Sequence, residues 1–202
     1  MPCDAADVWA DPDSLVELFY GGHRVLAEIR GYRSRIQTPS GEDATSWFPE
    51  LATGLSMFGQ RRVVLDGVVC VLNEQGHSDV VRLDRRAEQL GGHGGADRVT
   101  FVAFDVLVVR GNDVRFRPLE ERKILLQKLF ETPRPQTMLV PYLPGESAPY
   151  LSSKAREMQL PGVVMKRLDS IYVIGRRNPD WVAVRCSQSG QSASNRPGCA
   201  SL

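Results

Sequence analysis

The chain has 202 residues and a mass of 22.4 kDa, with 42% hydrophobic and 24% charged residues. This length and composition are typical of one globular domain with a core of its own, with or without a tail. The formal net charge of +1 excludes a strongly basic protein, so bulk charge does not indicate a nucleic-acid partner.

Features that the sequence lacks indicate where the protein is located and whether it binds a metal. It contains no run of about 18 apolar residues, and its first residues, MPCDAAD, are acidic rather than basic and apolar. We therefore expect a cytoplasmic protein without a membrane partner. The four cysteines show no C-x-x-C spacing, so we expect reduced thiols and no metal site.

The N-terminal part predicts short strands and then a helix. Residues 1–13 are interpreted as a leader that ends in turn-forming residues. Alternating apolar residues bounded by glycines predict three strands in an antiparallel opening, at 14–20, 24–30 and 32–38. Thr45 or Ser46 is expected to cap a helix that runs to about Phe58, with Pro49 in its first turn.

The rest of the chain alternates predicted strands and helices. A nearly continuous apolar run at 100–110 predicts a buried central strand. Further strands are predicted at 62–72 and 138–143, and helices at 83–90, from 118–122 to 130, and at 149–159. Because Gly91–Gly95 follows a helix-like stretch rather than a strand, we interpret it as a connector and not a phosphate loop. Residues 187–202 are rich in Ser, Gln, Gly and Pro and predict a disordered tail.

Several short blocks occur in an order that resembles the ATP-dependent DNA ligase family. The first block, FYGGHR at 19–24, is similar to motif I, K-x-D-G-x-R, whose lysine carries AMP in that family. The blocks that follow are TPSG with FPEL, LDGVV, AFDVL, PGVVMKR and WVAVR, at 38–51, 65–69, 103–107, 161–167 and 181–185. The resemblance covers about residues 14–186. It implies an α+β, ATP-grasp-like nucleotidyltransferase domain of antiparallel sheets flanked by helices, without the OB-fold domain that complete ligases add.

The resemblance also assigns a nucleotide site. It places Arg24 at the ribose and phosphates, Phe104 against adenine, and Lys166 at the α-phosphate of ATP. Gly22 corresponds to the motif I glycine. Arg185 is assigned to neutralise phosphate, which it would do with a planar guanidinium group. Without the resemblance, Phe104 is interpreted as a core residue, and Arg24 and Lys166 as solvated charges.

Six positions at which the family has a functional side chain hold a different residue here. Phe19 replaces the nucleophilic lysine, and a phenyl ring has no lone pair with which to attack phosphorus. The other replacements are Gly21 for an acid, Pro39 for an arginine, Val68 and Pro161 for two glutamates, and Ala183 for a lysine. Because the lost glutamates would orient the ribose and the metal ion, we expect weak or no Mg²⁺ binding.

These replacements predict an inactive, truncated member of a family that seals DNA nicks in repair and recombination. A second hypothesis is a non-catalytic module that binds ATP or another nucleotide, or nicked or broken duplex DNA, and acts with a protein partner that the sequence does not identify. The arginine pairs Arg61–Arg62, Arg85–Arg86 and Arg176–Arg177 are interpreted as solvated surface, or as DNA contacts if they share a face. A third hypothesis is an active enzyme that uses a displaced lysine, for which Lys166 is the only candidate that the resemblance places near the pocket.

Overall fold

The computed structural model describes residues 10–59, 61–88, 97–175 and 178–186, which form two β-sheets flanked by α-helices. The strands are β1 (Ser14–Phe19), β2 (His23–Arg30), β3 (Arg33–Gln37), β4 (Val63–Val71), β5 (Val99–Val109), β6 (Asn112–Asp113), β7 (Thr137–Leu139), β8 (Tyr142–Pro144), β9 (Gly162–Arg167) and β10 (Trp181–Arg185). The helices are α1 (Pro49–Ser56), α2 (Val80–Glu88), α3 (Leu119–Phe130) and α4 (Ala148–Glu157).

The larger sheet has the strand order β3-β2-β4-β5-β6, with β7 added beside β5. The smaller sheet has the order β10-β9-β1-β8. All of these pairs are antiparallel except that of β5 with β7. The predicted α+β class with antiparallel sheets and flanking helices is confirmed.

Strand β5 contributes to two hydrophobic cores, as its nearly continuous apolar sequence predicts. Phe101 and Ala103 face the core that α1 and α3 cover. Val102 faces the second core, which contains residues of the smaller sheet and of α4. Since successive side chains on a strand point to opposite faces, this run of apolar residues serves both layers.

Two predicted helix boundaries are wrong. Neither Thr45 nor Ser46 caps α1, which begins at Pro49 after the 3-10 turn Thr45–Trp47. The Thr45 hydroxyl instead accepts a hydrogen bond from Ile36 N at 2.9 Å and is thereby committed to β3. Helix α2 begins at Val80, three residues before the predicted start.

The predicted strand at 138–143 is two strands that belong to different sheets. Residues of β7 pair with β5, whereas residues of β8 pair with β1. Pro141 lies between them and has no backbone N–H to continue a ladder. At this point the chain passes from the larger sheet to the smaller one.

The first three strands were predicted to form one antiparallel sheet. Strands β2 and β3 do pair in this way, but β1 does not join them. Strand β1 forms part of the smaller sheet, where it pairs with β8 and β9. The chain crosses between the sheets at Gly21 and Gly22, so these glycines lie at the junction of the two layers. A Cβ atom on Gly22 would lie 2.2 Å from Val69 O, so the backbone approach there requires glycine.

Three predictions fall wholly or partly outside the described residues: the leader at 1–13, the connector at Gly91–Gly95, and the tail at 187–202. The arginine pair at 176–177 also lies outside them. The prediction that Arg86 is solvated is wrong. Its side chain is buried and donates to the Glu50 carboxylate at 2.9 Å.

Candidate functional site

The residues that the sequence assigns to a nucleotide site lie where the two sheets meet. Arg24 is on β2, opposite Val68 of β4, and Phe104 is on β5. Lys166 is on β9 and Arg185 ends β10, so the smaller sheet supplies the other two cations. Gly22 precedes β2 at the junction.

Phe104 is placed by an irregularity in the central strand pair. Asp66 of β4 pairs with Asp105, but the next residue, Gly67, pairs with Ala103, so Phe104 is an extra residue on β5. Such a bulge changes the direction in which a side chain points. The centroid of the ring lies 4.4 Å from Lys166 Nζ and 6.2 Å from the centroid of Trp181. Phe104 also packs against the second core, so the same side chain contacts both the core and Lys166.

The junction of the two sheets, called the cleft below, contains a buried carboxylate between two ammonium groups. Glu17 of β1 binds Lys166 Nζ at 2.6 Å through Oε2, and Lys123 of α3 through Oε1. All three side chains are no more than 3% exposed. Lys123 also donates to Phe104 O at 2.8 Å. The interpretation of Lys166 as a solvated charge, which was made without the family resemblance, is therefore wrong.

The charges of this triad affect one another. Burial alone would raise the pKa of the Glu17 carboxyl, but the ammonium groups of Lys123 and Lys166 outweigh burial and hold that pKa below its ordinary value. Burial lowers the pKa of Lys166, and Glu17 opposes that shift. The arrangement places two cations around one anion, so the triad has a surplus of positive charge.

A second buried carboxylate holds Arg24. Asp66 accepts from Arg24 Nη2 at 2.8 Å and from the Tyr172 hydroxyl at 2.6 Å. Burial raises the pKa of Asp66 and, together with the neighbouring Asp66 charge, raises the pKa of Tyr172. The guanidinium carbon of Arg24 lies 5.6 Å from the centroid of the Phe104 ring. Arg24 therefore reaches the same ring as Lys166 while ion-paired to Asp66.

A third buried pair joins β5 to α3. Arg122 donates to both oxygens of Asp105 at 2.9 Å, and both side chains are fully buried. It also donates to Ser170 O at 2.9 Å, beyond the end of β9. Consecutive residues of α3, Arg122 and Lys123, thus neutralise one carboxylate from each sheet.

Three of the positions predicted to have replaced a functional residue, Phe19, Gly21 and Pro161, lie close to other side chains. The centroid of the Phe19 ring lies 5.2 Å from the guanidinium carbon of the exposed Arg185. A Cβ on Gly21 would lie 3.2 Å from Val80 Cγ2 and 3.4 Å from Pro161 Cγ, and Gly21 N donates to Ser78 Oγ at 3.0 Å. Gly21 and Pro161, two positions predicted to have replaced acids, therefore lie next to each other with little space between them.

Of the five assigned residues, the structure brings together Arg24, Phe104 and Lys166. Arg185 lies over Phe19, and the role of Gly22 in nucleotide binding stays a prediction. Residues that the sequence did not assign complete the cluster: Glu17, Lys123, Asp105, Arg122, Tyr172 and Trp181. The one signal for Glu17 was a charged residue within the otherwise apolar strand VELF, but no local pattern connected it to α3.

The carboxylates of this site do not fit a Mg²⁺ ion. Glu17, Asp66 and Asp105 are each bound by a basic side chain. In the described part of the chain, no three His, Cys, Asp or Glu side chains group as metal ligands. The same cluster places the ammonium group of Lys166 beside the rings of Phe104 and Trp181.

A sequence-family comparison decides the relationship. The family model described as "ATP dependent DNA ligase domain" matches residues 5–185. This chain belongs to the ATP-dependent DNA ligase family. The predicted nucleotidyltransferase domain of the ligase family is therefore confirmed.

Relatives of known name agree with this assignment. The multifunctional non-homologous end joining protein LigD of Pseudomonas aeruginosa is 32% identical over 170 residues, which cover 84% of this chain and 20% of that protein. The SPbeta prophage-derived DNA ligase-like protein LigB of Bacillus subtilis is 28% identical over 174 residues, covering 86% of this chain and 62% of that protein. The chain spans about a fifth of the length of the LigD relatives that it matches.

Solved structures agree at the level of the fold. A mycobacterial DNA ligase D complexed with ATP and MES has a TM-score of 0.75 at 28% identity, covering 92% of this chain and 58% of that one. The ligase domain of Mycobacterium tuberculosis LigD has a TM-score of 0.74 at 29% identity, with the same coverages. None of the helices within the described residues has the length and apolar character needed to cross a membrane.

Proposed function

We propose that this protein is a ligase-family adenylation domain that cannot form the lysyl adenylate. The observation that carries the proposal is Phe19, which stands at the motif I lysine position. Its ring lies beside the guanidinium of Arg185, and carbon cannot replace the amine as a nucleophile. Deleting the nucleophile removes the covalent step itself rather than slowing it.

The other lysines do not supply a replacement amine. Lys123 and Lys166 are buried and bound to Glu17. Lys154 is paired with Glu157 on α4, and Lys128 lies on the exposed side of α3. Because both amines are bound to Glu17 and no more than 3% exposed, neither is open to an incoming nucleotide, which counts against Lys166 as a displaced nucleophile.

A non-catalytic nucleotide-binding module is the second candidate. It is favoured by the position of Lys166 Nζ over two rings, 4.4 Å from the centroid of Phe104 and 4.1 Å from that of Trp181. ATP use in the ligase family makes ATP the first nucleotide to test. We propose weak or no Mg²⁺ binding, since the carboxylates of the cleft are engaged by basic side chains. Nicked or broken duplex DNA is the proposed macromolecular partner, in keeping with the end-joining LigD relatives.

The test is incubation with α-labelled ATP and Mg²⁺ or Mn²⁺, followed by a denaturing gel. We expect no labelled protein band, with an active ligase as the positive control. A band that disappears in Lys166→Ala but persists in Lys128→Ala would contradict the proposal and identify Lys166 as the nucleophile. Lys128→Ala is a matched control because it removes an exposed lysine from outside the cleft.

The same preparation tests the second candidate, the nucleotide-binding module, by equilibrium dialysis against labelled ATP. Retained ATP that is lost in Phe104→Ala would support the binding module. Absence of ATP binding at high protein concentration would contradict the nucleotide-binding module. Both results are compatible with loss of the lysyl adenylate, so the dialysis tests the second candidate alone.

A further inference from the structure

One end of the larger sheet carries a row of arginines. Ile29 pairs with Val63, and Val63 pairs with Val109, so one end of β2, β4 and β5 lies at the same edge of the sheet. Arginines stand at or beside each of these strand ends and at the start of β3. We call this set the arginine rim: Arg30, Arg33, Arg61, Arg62 and Arg110.

The rim is assembled by contacts between its strands. Glu28 Oε1 binds Arg30 at 3.0 Å and Arg62 at 2.9 Å, and so orders two of the guanidinium groups. Gly111 N donates to Arg62 O at 3.0 Å, which joins the β5–β6 turn to the start of β4. The arginines are therefore neighbours in space although they come from separate parts of the sequence.

The rim has more positive than negative charge. Glu28 neutralises one of its five guanidinium groups, and the nearby Asp113 is engaged by Arg115. Within the described ranges, no ion pair joins Arg33, Arg61 or Arg110 to a carboxylate, and all three residues are exposed. Several exposed arginines elsewhere in the described chain have an acidic partner: Arg35, Arg117 and Arg167.

The backbone of Arg110 supports a use for its side chain. Its φ is +52°, and that of Gly111 is +90°, so both residues of the β5–β6 turn adopt left-handed conformations. Gly, Asn and Asp adopt this conformation at lower cost than arginine. An exposed arginine in a strained turn is consistent with a functional constraint on that side chain.

The dimensions and chemistry of the rim match the backbone of a nucleic acid. Strands about 4.8 Å apart give a row of four strand ends about 14 Å long. One strand of DNA presents a phosphate about every 3.4 Å along the axis, so the row spans about four phosphates. Tyr32, 85% exposed beside Gly59, adds a hydroxyl of the kind that contacts phosphates.

Resting on the duplex-DNA partner proposed above, we propose that the arginine rim binds the phosphate backbone of duplex DNA without reading its sequence. The rim lies at the opposite end of β2 from the cleft, since Arg30 is six residues, or roughly 20 Å, beyond Arg24. The proposal does not depend on the lost lysine, because no rim arginine contributes to the triad around Glu17 or to the Asp66 pair.

The test is the salt dependence of binding to a fluorescent duplex of about 20 base pairs, measured by anisotropy from about 50 to 200 mM salt. The rim variant is Arg33→Gln/Arg61→Gln/Arg110→Gln. The control variant, Arg98→Gln/Arg156→Gln/Arg167→Gln, removes the same charge from exposed positions before β5, on α4 and at the end of β9.

We expect the rim variant to lose at least tenfold in affinity at the low salt concentration. The slope of log K against log salt should fall by about 2 to 3, because each lost phosphate contact contributes about 0.9. The control should stay within about twofold of the wild-type affinity. Equal losses in the two variants would show that bulk charge alone is responsible and would overturn the proposal, as would no wild-type binding at low salt.

A variant that separates DNA binding from folding is Arg110→Gly. Glycine relieves the left-handed conformation and removes the guanidinium, so the melting temperature should rise or stay unchanged while DNA affinity falls severalfold. Retained affinity in this variant would contradict the role given to Arg110.

Discussion

At the residue scale, Glu17 holds the two buried lysines in the folded state. Its carboxylate binds Lys123 and Lys166 while all three side chains are withdrawn from solvent. Burying charges is costly, and removing one partner of a buried set leaves the others uncompensated. Glu17 is thus a structural requirement of the cleft whether or not the cleft binds a nucleotide.

Glu17→Gln should lower the free energy of unfolding by about 3 kcal/mol or more, because two ammonium groups would remain buried without a counter-charge. Urea denaturation at neutral pH measures this loss. The control is Glu28→Gln, which removes a partly exposed carboxylate and should cost under about 1 kcal/mol. Equal losses in the two variants would contradict the role of the triad.

The difference between wild type and Glu17→Gln should also depend on pH. The folded pKa of Glu17 lies below its ordinary value of 4.5, so its contribution is fully present above that pH. The contribution is lost as the pH falls through the folded pKa. Urea titrations at a series of pH values should therefore show the two proteins converging below about pH 4.5. A difference that grows towards acid pH would show that the sign is wrong.

At the scale of the elements, the crossing from β1 to β2 depends on a close backbone approach. The motif I glycine, Gly22, has a φ of +159° and would place a Cβ 2.2 Å from Val69 O and 2.7 Å from Val68 Cγ1. The obstacle is partly backbone, which cannot move without disturbing β4. This glycine therefore has a structural role independent of any ligand.

Gly22→Ala should destabilise the protein by about 2 kcal/mol or more, since the new methyl group overlaps the β4 backbone. Gly31→Ala is a matched control in the next turn. It has a φ of +61° but no atom within 4 Å of the added Cβ, so we expect only the conformational cost of about 1 kcal/mol. Thermal unfolding followed by circular dichroism compares the two. A smaller loss in Gly22→Ala than in Gly31→Ala would contradict the steric argument.

At the scale of the whole molecule, helix α3 couples the two sheets. Arg122 binds Asp105 of the larger sheet, and Lys123 binds Glu17 of the smaller one. Strand β5 also contributes apolar residues to both cores. Since the sheets share buried charges as well as apolar contacts, neither should be stable after the other unfolds.

We therefore expect one cooperative unfolding transition for both sheets. Trp47 packs against the larger sheet's core, and Trp181 lies on β10 of the smaller sheet. Variants that retain only one of these tryptophans, with Trp9 replaced by Phe in both, report each region by fluorescence in urea. Coincident midpoints are the expected result. Midpoints that differ between the two reporters would show that the sheets unfold independently.

Much of the architecture was predictable because it depends on local patterns. The apolar run at 100–110 identified a central strand, and the ordered blocks identified the ligase family. The prediction at 138–143 was wrong because one apolar stretch divides between two sheets at Pro141. A local pattern shows that residues are extended, but it does not show which strand they pair with.

The sequence by itself determined the family, since the ligase blocks are local residue patterns. The proposed loss of the motif I lysine also depends on residue identity alone, because Phe19 has no amine. Only the tertiary structure decided that Lys166 is buried against Glu17, that Phe104 stands at a bulge, and that distant arginines form one rim. These features depend on strand register and on contacts between residues far apart in the chain. Such contacts exist only after the sheets have paired and packed, so short sequence patterns do not encode them.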